Sequence, residues 1–174
     1  IMNIPFSPPD ITEEEIEAVA EVMRSGWITT GPKTKELERK MAEFTHTNRG
    51  VCLNSATSCM EMALRLFEIG PGDEVIVPAY TYTASASVVC HVGATLRLVD
   101  VEKGTFHIDY AAVESMINEN TKAIIPVDLG GVMVDYDRIR AIVESKKSLF
   151  RPSSKMQEAL GPVSYTHLRA HETD

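Results

Sequence analysis

The sequence predicts an α/β fold with a mostly parallel sheet and flanking helices. Short apolar runs alternate along the chain with amphipathic segments of helical period, and the spacing between runs suits helical crossovers rather than hairpins. The runs at 74–78 and 122–127 are near-continuous in apolar residues, as buried parallel strands are. With 174 residues, 44% of them hydrophobic and 24% charged, the chain has material for one cored domain.

The elements follow in order. Thr12-Glu13-Glu14-Glu15 reads as a capping box, with Ile16, Val19, Ala20 and Met23 at helical spacing behind it and Gly26 as the stop. Trp27 to Pro32 reads as a loop, and Leu37, Met41 and Phe44 mark a second helix. Gly50-Val-Cys-Leu53 reads as a short strand. Met60, Ala63, Leu64 and Phe67 mark a third helix, and Pro71-Gly-Asp73 a turn. Glu74 to Pro78 is a strand ended by proline. A helix over 84–91, a strand over 95–100, a helix capped by Asp109 with Val113, Met116 and Ile117 inward, and a strand over 122–127 follow. Ile139, Ile142 and Val143 mark a last helix, with Lys146 and Lys147 at its C-terminal end.

The net charge of −8 argues against a nucleic-acid binder, and no run of about 18 apolar residues is present to span a membrane. No signal peptide opens the chain, so a cytoplasmic location is expected. Cys52, Cys59 and Cys90 form no paired motif and are expected to be buried reduced thiols; no metal site is expected. The opening Ile1-Met2 is unlike an initiator, and Val163 to Asp174 resembles translated sequencing-adapter DNA rather than a folded segment. His167 and His171 lie in that tail at i, i+4 spacing without a third ligand. The basic stretch 138–155 reads as a solvated face.

Ligands of open α/β sheets sit beyond the carboxyl ends of the strands, which singles out three segments. Asn54-Ser-Ala-Thr-Ser58 joins a strand to a helix, where small hydroxyl residues let a phosphate reach free N–H groups; an N-cap by Ser55 or Thr57 is the structural alternative. Tyr80 and Tyr82 offer aromatic faces to a flat ligand, or pack at a helix start. Asp128-Leu-Gly-Gly131 is either a polar lining or a turn. His46, His91 and His107 lack a nucleophile partner in sequence, and none of the eight lysines lies in a glycine-rich, serine-containing turn.

Five motifs in order resemble the DegT/DnrJ/EryC1/StrS family of PLP-dependent sugar aminotransferases: residues 25–32 (SGWITTGP), 54–57 (NSAT), 70–78 (GPGDEVIVP), 81–84 (TYTA) and 122–127 (KAIIPV). The resemblance covers about residues 3–161. It implies part of the large domain of the fold-type I, aspartate aminotransferase-like fold. It divides the chain into an N-terminal helix and substrate-side loop (1–34), the first part of the PLP-binding domain (35–161) and a non-native tail (162–174). It implies that Thr57 and Ser58 hold the PLP phosphate, that Tyr82 stacks on the pyridine ring, and that Trp27 and Thr30 line the nucleotide-sugar side.

The family's usual Pro-Val-His-Leu-Tyr-Gly reads Pro126-Val-Asp-Leu-Gly-Gly131 here, and residues 146–161 resemble an insertion of some members. The resemblance further implies an N-terminal fragment of a homodimeric enzyme that transfers an amino group from glutamate to a nucleotide-linked keto sugar. The Asp that pairs with the pyridine nitrogen and the Schiff-base Lys are expected beyond Gly161, so the fragment is expected to be inactive, with an exposed sheet edge and an exposed apolar helix face. A PLP-dependent sugar dehydratase of the same family and a non-enzymatic α/β module are the alternatives.

Overall fold

The computed structural model describes residues 8–161; the opening residues and the 162–174 tail, His167 and His171 included, lie outside them. Two compact units divide at Asn54/Ser55.

The first unit holds α1 (Glu13–Ser25) and α2 (Pro32–Phe44). The capping box forms as expected: the Thr12 side chain accepts from the N–H of Glu14 at 3.2 Å, and Glu15 accepts from the N–H of Thr12 at 2.7 Å. Gly26 ends the helix in the left-handed region at φ 73°. The apolar stripes of both helices, Ile16, Val19 and Met23 on α1 and Leu37, Met41 and Phe44 on α2, are exposed, and α1 buries no residue. Residues 34 and 35 both lie inside α2.

The expected strand at 50–53 does not form. An extended segment becomes a strand only when another backbone pairs with it. Here the N–H of Cys52 donates to the Glu38 carboxylate at 3.1 Å instead, which is the largest cause holding that carboxyl below its usual range. Gly50 is packed so closely that a Cβ would lie 2.7 Å from the Glu38 carbonyl oxygen.

The second unit is a three-stranded parallel sheet with helices on both faces, in strand order β2-β1-β3. Its elements are α3 (Ala56–Leu66), β1 (Glu74–Pro78), α4 (Thr83–His91), β2 (Thr95–Val99), α5 (Tyr110–Met116), β3 (Thr121–Ile124), α6 (Tyr136–Ser145) and α7 (Lys155–Leu160). The two-residue period of the strands sorts the core into two layers. Val75, Val77, Ala123 and Ile125 face α3 and α4, meeting Met60, Leu64, Val88 and Val89. Ile76 and Ile124 face the other way, into Val113 of α5 and Ile139 and Ile142 of α6.

Helix α7 was not expected. It is fastened near the amino end of β1 by the buried Asp73 carboxylate, which accepts from Ser153 Oγ and Gln157 Nε2, each at 3.1 Å. Strands β2 and β3 are the two edges of this sheet; Leu98 of β2 faces solvent, whereas every residue of β3 is buried. The basic stretch is largely ion-paired, through Arg138 to Glu102, Arg140 to Asp137, Lys146 to Glu114 and Lys147 to Glu144.

Cys52 and Cys59 are half-buried and Cys90 is exposed, all as free thiols, which corrects the expectation of burial. Cys90 falls on the outer side of α4, next to the inward-facing Val88 and Val89.

Lys122 is buried, its Nζ donating to the Glu119 carbonyl at 2.6 Å and lying 5.4 Å from the Phe150 ring centroid. Burial holds its ammonium below the usual lysine range, ahead of the opposing pull of Asp73 and two glutamates. Between the lowered folded value and the ordinary unfolded one, the unfolded chain binds more protons, so folding stability rises with pH across that window. Urea unfolding at neutral pH and near pH 10 is expected to show this rise in the wild type and a smaller one in Lys122→Met. Equal rises in both would remove Lys122 as its source.

Candidate functional site

The functional end of the second unit follows from its connections. Helix α3 enters β1 through the short turn 67–73, so its C-terminus sits at the amino edge of the sheet. Eleven helical residues span about 16 Å and five strand residues about 17 Å, which brings the start of α3 level with the carboxyl end of β1. Helix α4 begins just beyond that end and packs beside α3. Two helix N-termini therefore share one edge of the sheet, carrying Thr57 and Ser58 on one and Tyr82 on the other.

Ser55 is the N-cap of α3, its Oγ accepting from the N–H of Ser58 at 3.1 Å. The same Oγ donates to Ser58 Oγ at 3.0 Å. The Ser58 hydroxyl accepts that bond and keeps its own proton to donate. Ser55 caps the helix, and Thr57 and Ser58 lie half-buried at its mouth. The N–H groups of Ala56 and Thr57 belong to the first turn and have no intrahelical acceptor. Neither α3 nor α4 has an acidic residue in its first turn, whereas α1 has three. The positive ends of both helix dipoles are left for an external anion.

Tyr82 is the N-cap residue of α4 and is 68% exposed. Tyr80, just upstream, stacks on Phe106 with centroids 5.3 Å apart and planes 18° from parallel. Phe106 gave no signal in sequence, because only the chain path past β2 brings it to Tyr80. The arrangement suits a ligand with a phosphate at one end and a flat ring at the other. PLP has that form, so the residues present fit it.

Asp128 is a turn former. It is buried, its carboxylate accepting from the N–H of Val134 and the hydroxyl of Tyr136, each at 2.8 Å. Gly130 and Gly131 inside that turn take φ 58° and 77°, which glycine adopts at little cost. His91 also has a structural partner, its Nδ1 lying 2.9 Å from Glu61. Arg65, then His91, hold the Glu61 carboxyl below its usual range. Among the described residues no cluster of three or more His, Cys, Asp or Glu is placed to hold a metal, and no helix is long and apolar enough to cross a membrane.

Trp27 and Thr30 belong to the first unit. The Ser25 hydroxyl accepts from the N–H of Trp27 at 3.2 Å, and the indole Nε1 donates to the Thr30 carbonyl at 3.0 Å, folding 25–30 into a closed loop.

A sequence model of the DegT/DnrJ/EryC1/StrS aminotransferase family matches residues 9–150. Among solved structures, Spr1654 from Streptococcus pneumoniae, assigned as a sugar aminotransferase, is 58% identical over 94% of this chain, with a TM-score of 0.90. That protein has been solved in apo, PMP and PLP forms. An aminotransferase from Psychrobacter cryohalolentis is 34% identical over 81% of this chain, with a TM-score of 0.76. A GDP-4-keto-6-deoxymannose-3-dehydratase, 24% identical over 81% of this chain with a TM-score of 0.76, shares the fold. The chain spans 41% of the length of Spr1654, 36% of the Psychrobacter protein and 38% of the dehydratase. The fold is that of the large domain of fold-type I PLP aminotransferases, and the chain belongs to the DegT/DnrJ/EryC1/StrS aminotransferase family.

Proposed function

We propose that this chain supplies the cofactor-phosphate cradle of a PLP-dependent aminotransferase acting on a nucleotide-linked keto sugar, with glutamate as amino donor. The observation that carries this reading is the start of α3, where Ser55 arranges Ser58, two N–H groups point outward and no acidic side chain competes. Thr57 and Ser58 hold the phosphate by hydroxyl donation along the helix axis. Tyr82 lies against the ring and keeps water from one face of it. PLP, when bound, supplies the electron sink that amino transfer requires. Trp27 and Thr30 line the sugar side. The exposed apolar stripes of α1 and α2 support a homodimeric whole protein, and a cytoplasmic one is consistent with the class of substrate. These 174 residues alone are expected to hold the cofactor without turnover, since none of their lysines lies in a turn suited to a Schiff base.

PMP is the suitable probe, because it forms no Schiff base with surface lysines. Hydrogen bonds to a charged group contribute about 1.5–3 kcal/mol each, so Thr57→Val and Ser58→Ala are each expected to weaken PMP binding roughly tenfold or more. Tyr82→Ala is expected to cost about threefold to tenfold, the size of a ring-stacking contact. PMP affinity unchanged in the Thr57/Ser58 double variant would refute the cradle.

A further inference from the structure

The stack of Tyr80 on Phe106 does not belong to the core. Tyr80 is 55% exposed and Phe106 59%, and both stand outside the two buried layers of the second unit. The pair sits at the carboxyl edge of the sheet, beside the start of α4. What it holds follows from the backbone on each side.

Phe106 is carried by a fixed hairpin. Beyond β2 the N–H of Asp109 donates to the Asp100 carbonyl at 3.0 Å and that of Glu102 to the His107 carbonyl at 2.8 Å, with Val101 and Ile108 paired in an antiparallel bridge. Thr105 Oγ1 donates to the Glu102 carbonyl and accepts from the N–H of His107, each at 3.1 Å. Ile108, at the base, is buried in the layer of α5 and α6. The hairpin thus has its own hydrogen bonds and its own anchor, without calling on Phe106.

The turn 79–82 has fewer ties. The N–H of Ala79 donates to the Val99 carbonyl at 2.7 Å, and the N–H of Ser85 to the Tyr82 carbonyl at 3.1 Å. Between them Thr81 Oγ1 lies 3.1 Å from Oγ of the buried Ser85, which ties the turn inward to α4. Tyr82 follows as an N-cap residue without a side-chain cap bond, and it is exposed. Where its ring stands therefore depends on the backbone leading into it, and the outer side of that backbone is held by Tyr80 on Phe106.

We propose that Phe106 is a positioning residue for Tyr82. Its stack on Tyr80 fixes the turn against the hairpin from outside, Thr81 and Ser85 fix it from inside, and Tyr82 is set before a ligand arrives. The inference rests on the proposed function for the ring that Tyr82 meets. An aromatic pair contributes a factor of about 2 to 10 in an equilibrium, enough to hold a turn and too little to decide folding.

The experiment compares the 174-residue wild type with Phe106→Ala and Phe106→Tyr. Amide hydrogen exchange is followed without ligand, and PMP affinity is measured by calorimetry, each with and without Tyr82→Ala. Phe106→Ala is expected to speed exchange at Ala79 and Ser85 about twofold to tenfold and to weaken PMP about threefold to tenfold, with exchange in α3 and the urea midpoint near wild type. Phe106→Tyr keeps a ring and is expected to restore both to within about twofold. In the Tyr82→Ala background, Phe106→Ala is expected to weaken PMP no further, because the residue it positions is gone; a merely structural Phe106 would cost the same in both backgrounds.

Unchanged exchange at Ala79 and Ser85, wild-type PMP affinity in Phe106→Ala, or an equal loss in both backgrounds would each overturn the assignment. Faster exchange in Phe106→Ala with no PMP binding by any form would leave Phe106 holding the turn and remove the proposed function.

Discussion

Ile76→Ala is expected to destabilise the second unit by about 3–5 kcal/mol, the range for truncating a fully enclosed large aliphatic side chain. Ile76 sits in the middle of the central strand, paired with Arg97 of β2 and Ile124 of β3. Its carbonyl accepts from the N–H of Ile125 at 2.9 Å, which fixes the backbone on that side. The side chain has no exposed surface and points into the layer formed by Val113, Ile139 and Ile142. A backbone held from both sides cannot shift to fill the space, so the cavity term is expected in full. Ile76→Val, which removes one methylene, is expected to cost about 0.5–1.5 kcal/mol. Urea unfolding measures both. The altered layer lies on the face of the sheet opposite α3 and α4, so PMP affinity of the folded protein is expected to stay at the wild-type value. A loss below about 1 kcal/mol for Ile76→Ala would mean that the α5–α6 layer is not packed as described.

Asp128→Ala is expected to cost about 3 kcal/mol, through a different cause. The buried N–H of Val134 loses its acceptor, and an unsatisfied buried donor costs about 1–3 kcal/mol, with more lost where the partner was charged. The Tyr136 hydroxyl loses its bond to the same carboxylate. Asp128→Asn is expected to be mild, at about 1 kcal/mol or less. Its amide oxygen still accepts from Val134, and the Tyr136 hydroxyl can rotate to accept from the amide nitrogen. The pair separates two roles. A structural Asp128 gives a large stability loss in Ala and a small one in Asn, with ligand binding unchanged in Asn. A ligand-contacting Asp128 would give the reverse, with binding lost in both variants and stability barely moved.

The geometry of the candidate site was legible in sequence to the extent that it is local. The segment 54–58 announced a helix start with hydroxyls, and α3 begins there with Ser55 as its cap. That segment could not show whether capping and anion binding compete. Only the side-chain geometry, in which Ser55 serves Ser58 and leaves Thr57 and the first N–H groups outward, makes them compatible. Likewise Asp128 read equally well as lining or turn, because its partners, Val134 and Tyr136, were not predictable from its neighbours. The close approach of Trp27 to Gly31 was invisible, since the backbone angles of Gly31 are ordinary and the crowding comes from a side chain.

The sequence alone determined the elements whose causes lie within a few residues: the capping box at Thr12, the Asp109 cap of α5, the stop at Pro78 and the apolar core of β1. A cap or a proline acts on the backbone beside it, so its effect is written locally. Tertiary structure decided what depends on partners distant in sequence. Residues 50–53 are not a strand because no backbone among the described residues pairs with them, and an apolar run cannot carry its own ladder. The helical stripe of α3 is buried and that of α1 is not, although both have the same period, because burial requires a facing surface that the stripe does not itself encode.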